Sequence, residues 1–520
     1  MVAPPNSTPP ESFGLPLAGR WSALRPRDPE RSELRARITS AVGWKGASSV
    51  IGQLMKVAQV VVLTRLLSPH DFGVAGMVLV LAPFVVSFSD FGLGIALVQR
   101  ATITELDASS VFWASLGIGV FASGVAVAAS PLVAHFYHQP EVAPLFAITS
   151  LGFAIMSLGS THRSLLVRSM NFRALEIRSM AGLLVGAIVG ITTAVAGGGP
   201  WALVGGYLAG VSSSTALLWV TAGWRPSTAF SLQTIRELAG FGGRFLGGTT
   251  FLNFSQNADN VLVGRFLGAE SLGFYTLAYS VILSPLARLA GPVMQILTPA
   301  LSRLQDDKRA LADGWLRATS LLAFVVLPLT LTIAVTANDL VALAFGQRWM
   351  RAVPVMQILA CVSAMQCLQL HDVVMQALGR MRLYMWISAA SFAANLGGFV
   401  IGLQWGILGV ATSLAISTTI YFIAYTVVVS RVLGIGSFRF VEALAGVLQA
   451  AFALAIVELV AMHVLDGSRA TGLPRIMLVT ALGLSAFVAV CAWRAPGIFA
   501  ELRQMVSHRS RNPGRPVVSS

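Results

Sequence analysis

Residues 43–73 read GWKGASSVIGQLMKVAQVVVLTRLLSPHDFG, and residues 243–273 read GRFLGGTTFLNFSQNADNVLVGRFLGAESLG. Laid over one another, the two stretches align without a gap. Arg65-Leu66-Leu67 falls on Arg265-Phe266-Leu267, and Phe72-Gly73 on Leu272-Gly273. Polar positions coincide as well: Gln53 with Asn253, Lys56 with Gln256, Gln59 with Asp259. A weaker second match sets Trp201-Ala202-Leu203-Val204-Gly205 on Trp405-Gly406-Ile407-Leu408-Gly409. The second half of the chain copies the first.

The medium in which these copies fold follows from composition. Of 520 residues, 55% are hydrophobic and 11% charged, and the mean hydropathy is +0.74. Soluble domains carry about 25% charged residues, so too few charges are present here to cover a water-soluble core of this size. Soluble enzyme classes are thereby excluded. Apolar runs of about 20 residues, each long enough to cross about 30 Å of hydrocarbon as a helix, recur along the chain. The net charge of +14 is read as the basic bias of cytoplasmic loops and not as a nucleic-acid surface. Cys361, Cys367 and Cys491 all lie in apolar segments without metal-ligand spacing, as buried small hydrophobes do.

The fold class expected is an all-α polytopic membrane protein with about fourteen transmembrane helices. The spans are placed at roughly 43–64, 72–97, 111–134, 143–161, 180–197, 201–222, 244–264, 274–300, 318–337, 352–376, 383–403, 406–429, 441–463 and 476–493. Residues 1–42 contain no continuous apolar stretch after their basic start and are read as a mobile basic tail, as are residues 494–520. With the N-terminus inside, 26 of the 36 Lys and Arg fall in the tails and cytoplasmic loops, six in the opposite loops and four within spans. That asymmetry places both termini in the cytoplasm. The expected domains are a six-helix bundle over 43–223, a cytoplasmic linker over 224–243, a second bundle over 244–430 and two additional helices over 431–493. Two halves of like orientation form a parallel repeat about an axis along the membrane normal, with substrate handled at their interface.

The first span of each half carries a polar face. Ser49, Gln53, Lys56 and Gln59 recur every three or four residues in span 1, and Asn253, Gln256, Asn257 and Asn260 do so in span 7 beside Asp259. A Lys or Asp at the bilayer centre costs roughly 2.5–3.5 kcal/mol on insertion scales, so these faces must meet protein or water. Their repeat equivalence predicts that they face each other across a common cavity. Lys56 and Arg288 are the intramembrane cations expected to serve it, and Asp90 and Asp259 are candidates for ion coupling or for pairing with Arg288. Cations and amides together suit an anionic head group bearing hydroxyls, such as a sugar phosphate. Arg65 and Arg265 are expected to hold loop structure, through backbone carbonyls or through Asp71 and Glu270. Glu458 reads as a helix–helix contact, and the pair His135 and His138 as solvated.

No Walker-type G-x-x-x-x-G-K-[ST], no H-E-x-x-H and no Cys/His cluster is present, so neither nucleotide, metal nor other cofactor is expected. Loops of roughly twenty residues at most offer no room for an extramembrane active site, which favours a carried substrate over a reaction.

The stretch Gln256-Asn257-Ala258-Asp259-Asn260-Val261-Leu262-Val263-Gly264-Arg265-Phe266-Leu267-Gly268, with Leu272-Gly273-Phe274-Tyr275, resembles the seventh-helix signature of bacterial polysaccharide-export flippases. Thr64 to Gly73 and Asp90-Phe91-Gly92-Leu93-Gly94 are similar to the signature of their opening helices. These flippases form the lipopolysaccharide and exopolysaccharide biosynthesis branch of the multidrug/oligosaccharidyl-lipid/polysaccharide exporter superfamily, and the likeness covers about residues 40–435. The resemblance implies a pair of six-helix bundles in the bacterial inner membrane. It implies an undecaprenyl-pyrophosphate-linked oligosaccharide as substrate and membrane lipids, a polysaccharide polymerase and a chain-length regulator as partners. It also implies cavity cations for the pyrophosphate, at Lys56 and Arg288 by location, and a groove for the polyprenyl tail at the two extra spans. The rival it leaves open is a cation-coupled small-molecule or drug antiporter of the same superfamily.

Overall fold

A computed structural model describes residues 51–465 and 472–499. The tail over 1–42, Lys45, Ser49 and nearly all of 494–520 lie outside the described residues, as does the side chain of Arg288. Regular structure among the described residues is helical. Among the described residues, eleven helical runs are long and apolar enough to cross a membrane, which is consistent with the fourteen spans expected. The run Met381–Leu433 contains spans 11 and 12, which meet at the turn Leu403–Trp405. The helix Leu232–Ser302 contains spans 7 and 8 and is interrupted at Gly268 (φ 82°, ψ 177°), a conformation open to glycine. Span 1 is visible over 51–66.

Helix starts fall earlier than hydropathy places them. Span 5 runs Phe172–Val195 under an Asn171 cap, so Arg173, Glu176 and Arg178 belong to the helix and not to the loop before it. Half of the expected linker is likewise helical, because a Ser231 cap starts a helix at Leu232 that continues into span 7. This segment packs on the first bundle. Ser110 Oγ accepts from the Ser231 amide at 2.8 Å, Thr234 donates to Asp107 at 3.2 Å, and Leu238 joins Leu93, Leu97 and Val111 in an apolar cluster. Span 2 is three short helices, Pro69–Leu79, Ala82–Phe88 and Leu93–Gln99.

The two halves meet where the repeat begins. A Cβ on Gly73 would collide with the Ala269 carbonyl, and one on Gly273 with the Pro69 carbonyl. Pro69 and Ala269 are themselves repeat partners, as are Gly73 and Gly273, so the two contacts are one contact repeated by pseudo-twofold symmetry. Gly76 faces Thr276 across the same axis. Small residues permit such approach, and in lipid close packing replaces the hydrophobic effect as the force between helices.

Spans 5 and 6 use the same device. The buried residues of span 5 are Gly182, Gly186, Gly190 and Ala194, one per turn, and they lie on Gly206 and Gly210 of span 6. The added spans, Phe438–Leu465 and Leu473–Arg494, brace span 9, Lys308–Ala344. Thr332 donates to the buried Glu458 at 2.6 Å, Arg475 lies 3.4 Å from Asp339, and Arg439 lies 3.4 Å from Asp313. Glu458 thus sits in the helix–helix contact its position suggests.

Gly73→Ala should lower the thermal midpoint of the purified protein, since overpacking of this kind costs about 1–3 kcal/mol. Gly117→Ala, where an added Cβ meets nothing within 4 Å, should leave it unchanged. Equal midpoints for the two variants would show that the crossing does not limit stability.

Candidate functional site

At the face away from the basic loops, two arginines reach from one half into the other. Arg65, at the end of span 1, donates through Nε to the Ala344 carbonyl at 3.0 Å and through Nη2 to the Leu343 carbonyl, both at the end of span 9. Arg265, its repeat partner, donates through Nη1 to His138 Nδ1 at 2.8 Å, at the end of span 3, and lies 5.5 Å from the Phe136 ring. Each arginine therefore holds the matching helix end of the opposite bundle. Trp349 adds a third tie: its indole N–H donates to the Thr64 carbonyl at 2.9 Å, and its ring packs edge-on against Phe72 and Phe274. Asp71 and Glu270 are not the partners. Asp71 forms a capping box with Ser68, and Glu270 lies 3.4 Å from Arg351. His138, expected to be solvated, is engaged.

The polar face of span 1 opens onto a cavity of about 580 Å³ inside the first bundle. Gly52, Lys56 and Gln59 line it from span 1, with Leu79 and Met156 below and Glu176, Arg178 and Ser179 from span 5. Tyr207, Ser214 and Thr215 complete it from span 6. Two cations and one carboxylate thus share a chamber walled by a glycine-packed helix pair. Gln53 sits on the same helix, with Oε1 buried and unpartnered.

Among the described residues, none of span 7 lines this cavity. Asn253 is turned to span 2, where its amide donates to Ser87 Oγ at 2.9 Å and to the Pro83 carbonyl at 3.3 Å. Asn257 donates to the Asn253 carbonyl at 2.8 Å, Asn260 is half-buried, and Gln256 is exposed. Asp259 is 4% exposed and accepts from the Tyr275 hydroxyl at 2.8 Å, a packed pair joining spans 7 and 8. The physical reason is that helical spacing fixes which residues share a face, whereas neighbouring helices decide what that face meets. Asp90 accepts from the Gly92 amide at 2.9 Å and shapes the break in span 2, where Phe91 and Gly92 have positive φ and Gly242 packs on the Phe91 carbonyl.

Arg178 escaped the sequence reading because the hydropathy profile starts span 5 at residue 180. The Asn171 cap followed by Phe172 was the available signal. Arg168 escaped because the profile ends span 4 at residue 161, whereas the helix continues to Arg168. It donates to the carbonyls of Val98, Arg100 and Ala101 and closes the inner end of span 2, as a cation at a helix C-terminus does.

Residues 62–354 match the model of the family described as "Polysaccharide biosynthesis protein". The chain belongs to this family. The chain is 27% identical over 340 residues to the lipopolysaccharide biosynthesis protein WzxC of Escherichia coli (strain K12), covering 64% of this chain and 68% of that one. It is 26% identical over 395 residues to the teichuronic acid biosynthesis protein TuaB of Bacillus subtilis (strain 168), covering 74% and 81%. To the succinoglycan biosynthesis transport protein ExoT of Rhizobium meliloti (strain 1021) it is 29% identical over 324 residues, covering 62% and 65%. Among solved structures, an inward-facing multidrug resistance MATE family transporter of the MOP superfamily superposes with a TM-score of 0.56 at 12% identity, covering 73% of this chain and 95% of that one. That likeness places the chain in the same fold.

Tyr275→Phe removes the donor to a buried carboxyl and should destabilise by about 1–3 kcal/mol. Asp259→Asn, which keeps an acceptor for Tyr275, should cost less. Thermal unfolding of both variants in one detergent checks the order, and the reverse order would refute the packed-pair assignment.

Proposed function

We propose that this protein is a flippase that turns undecaprenyl-pyrophosphate-linked oligosaccharide repeat units from the cytoplasmic to the periplasmic leaflet of the bacterial inner membrane, by alternating access. The observation that carries this reading is the polar cavity, where Lys56 and Arg178 stand together among apolar spans. Intramembrane cations are rare and mark substrate paths, and a guanidinium with an ammonium suits a pyrophosphate. Gln59, Ser179, Tyr207 and Ser214 supply hydrogen-bonding groups for sugar hydroxyls. Gln53 and Gln256 add amides to the path, and Asn253, Asn257, Asp259 and Asn260 join it once Asn253 leaves Ser87 and Pro83 of span 2 and Asp259 leaves Tyr275. Relatives whose names place them in lipopolysaccharide, teichuronic acid and succinoglycan synthesis agree with a glycan-bearing cargo.

The sparsely charged face, where Arg65, Arg265 and Trp349 tie the halves together, is the periplasmic one by the loop-charge bias. The structure then corresponds to the state closed to the periplasm, with both termini cytoplasmic. An apolar cavity of about 430 Å³ between span 13 and spans 9, 10 and 12, lined by Leu331, Ala364, Phe422, Phe440 and Leu444, is suited to the polyprenyl tail. A polymerase and a chain-length regulator are natural recipients of the flipped unit. The antiporter reading is the weaker one, because Asp90 and Asp259, the carboxylates it would use, are held by Gly92 and Tyr275.

Replacing Lys56 and Arg178 together by Gln should abolish polysaccharide export in a complementation assay at matched membrane levels, and Arg288→Gln should reduce it. Normal export by the double variant removes the cavity from the mechanism.

A further inference from the structure

The two arginine ties are equivalent by repeat but differ in chemistry. Arg65 ends on backbone carbonyls, which accept hydrogen bonds at any physiological pH. Arg265 ends on an imidazole. A guanidinium only donates, so the Arg265 contact at 2.8 Å requires the lone pair of His138 Nδ1 and a neutral ring with its proton on Nε2. Protonation of His138 removes that lone pair and leaves two cations in contact.

The charged and titratable groups around His138 are few. His135, one helical turn earlier on span 3, has its ring 6.1 Å away. Glu141 follows in the turn to span 4, and Arg265 comes from span 7. Phe136 covers the guanidinium from the side, and no carboxylate forms an ion pair with Arg265 among the described residues. His138 itself closes span 3 with a positive φ of 55° and is exposed, so protons reach it from the adjoining solvent.

We infer that the Arg265–His138 pair is a proton-released latch: acidification of the outer compartment frees the Arg265 end of the interface and favours opening there, while the Arg65 end stays indifferent to pH. The inference rests on the two-bundle rocking reading above. The sign follows from linkage. The latched form cannot bind a proton at Nδ1 and the released form can, so lowering pH draws the equilibrium toward release. His135 lies off the guanidinium and modulates the response without carrying it.

The test uses the full chain in lipid nanodiscs, with its three cysteines replaced by Ser and spin labels on Ala196→Cys and Gln347→Cys. Both positions are exposed at this face, one in each half. Pulsed electron spin distances between the labels should show a longer, released population. That population should rise at least about threefold between about pH 8 and about pH 5.5, the range in which imidazoles change charge. His138→Gln, which offers a neutral acceptor at all pH values, should abolish the rise. His138→Arg should give the longer distance throughout, and His135→Gln should leave the rise in place. A rise that survives His138→Gln, or one lost in His135→Gln, overturns the latch but not the rocking bundles. A face that shows no longer distance in any variant, His138→Arg included, overturns both.

Discussion

The contact of Gly73 with Ala269 and of Gly273 with Pro69 governs much else in the molecule. In lipid the solvent gives no reward for helix association, so two bundles hold together only where backbones approach closely or polar groups find partners. The repeat supplies both at one place. Its glycines let span 2 cross span 8 at van der Waals contact, and a few residues outward its arginines find the helix ends of the opposite half. Phe72, Phe274 and Trp349 fill the space between. A duplicated sequence makes every contact on such an axis count twice, which is why so short a segment can join two six-helix units.

Away from the axis the halves diverge, and function lies in the divergence. Spans 5 and 6 enclose a polar chamber with Lys56 and Arg178. The corresponding spans 11 and 12 border an apolar cavity instead, lined by Ile387, Ile401, Ile416 and Ile420. Duplication provided the frame, and substitution gave one half an affinity for charge and left the other to hydrocarbon. The added spans 13 and 14 fall on the apolar half. An amphipathic cargo matches that division.

Much of the architecture was legible in the sequence because hydropathy and internal repetition are local, additive signals. The helical class and the duplication followed from them. Partners distant in sequence did not. Nothing in the residues around Arg65 points to the carbonyls of Leu343 and Ala344, and the backbone there carries no identity to read. The faces of spans 1 and 7 were correctly seen as polar, but equivalence in a repeat does not imply that equivalent faces meet. Gln59 borders a chamber, whereas Asp259, its counterpart, is sealed against Tyr275. Arg178 was missed because a charged first turn looks like a loop to any hydropathy window, although the Asn171 cap marks the helix start.

The kink at Gly268, where span 7 gives way to span 8 without an intervening loop, carries a mechanical consequence. With no slack between them, the two spans turn as one bent lever whose elbow lies beside Arg265. Each arm of about twenty residues is about 30 Å long, so a tilt of about 10° at the elbow displaces the far ends by about 5 Å. Angstrom-scale play at one surface of the bilayer is thereby geared up into a passage at the other.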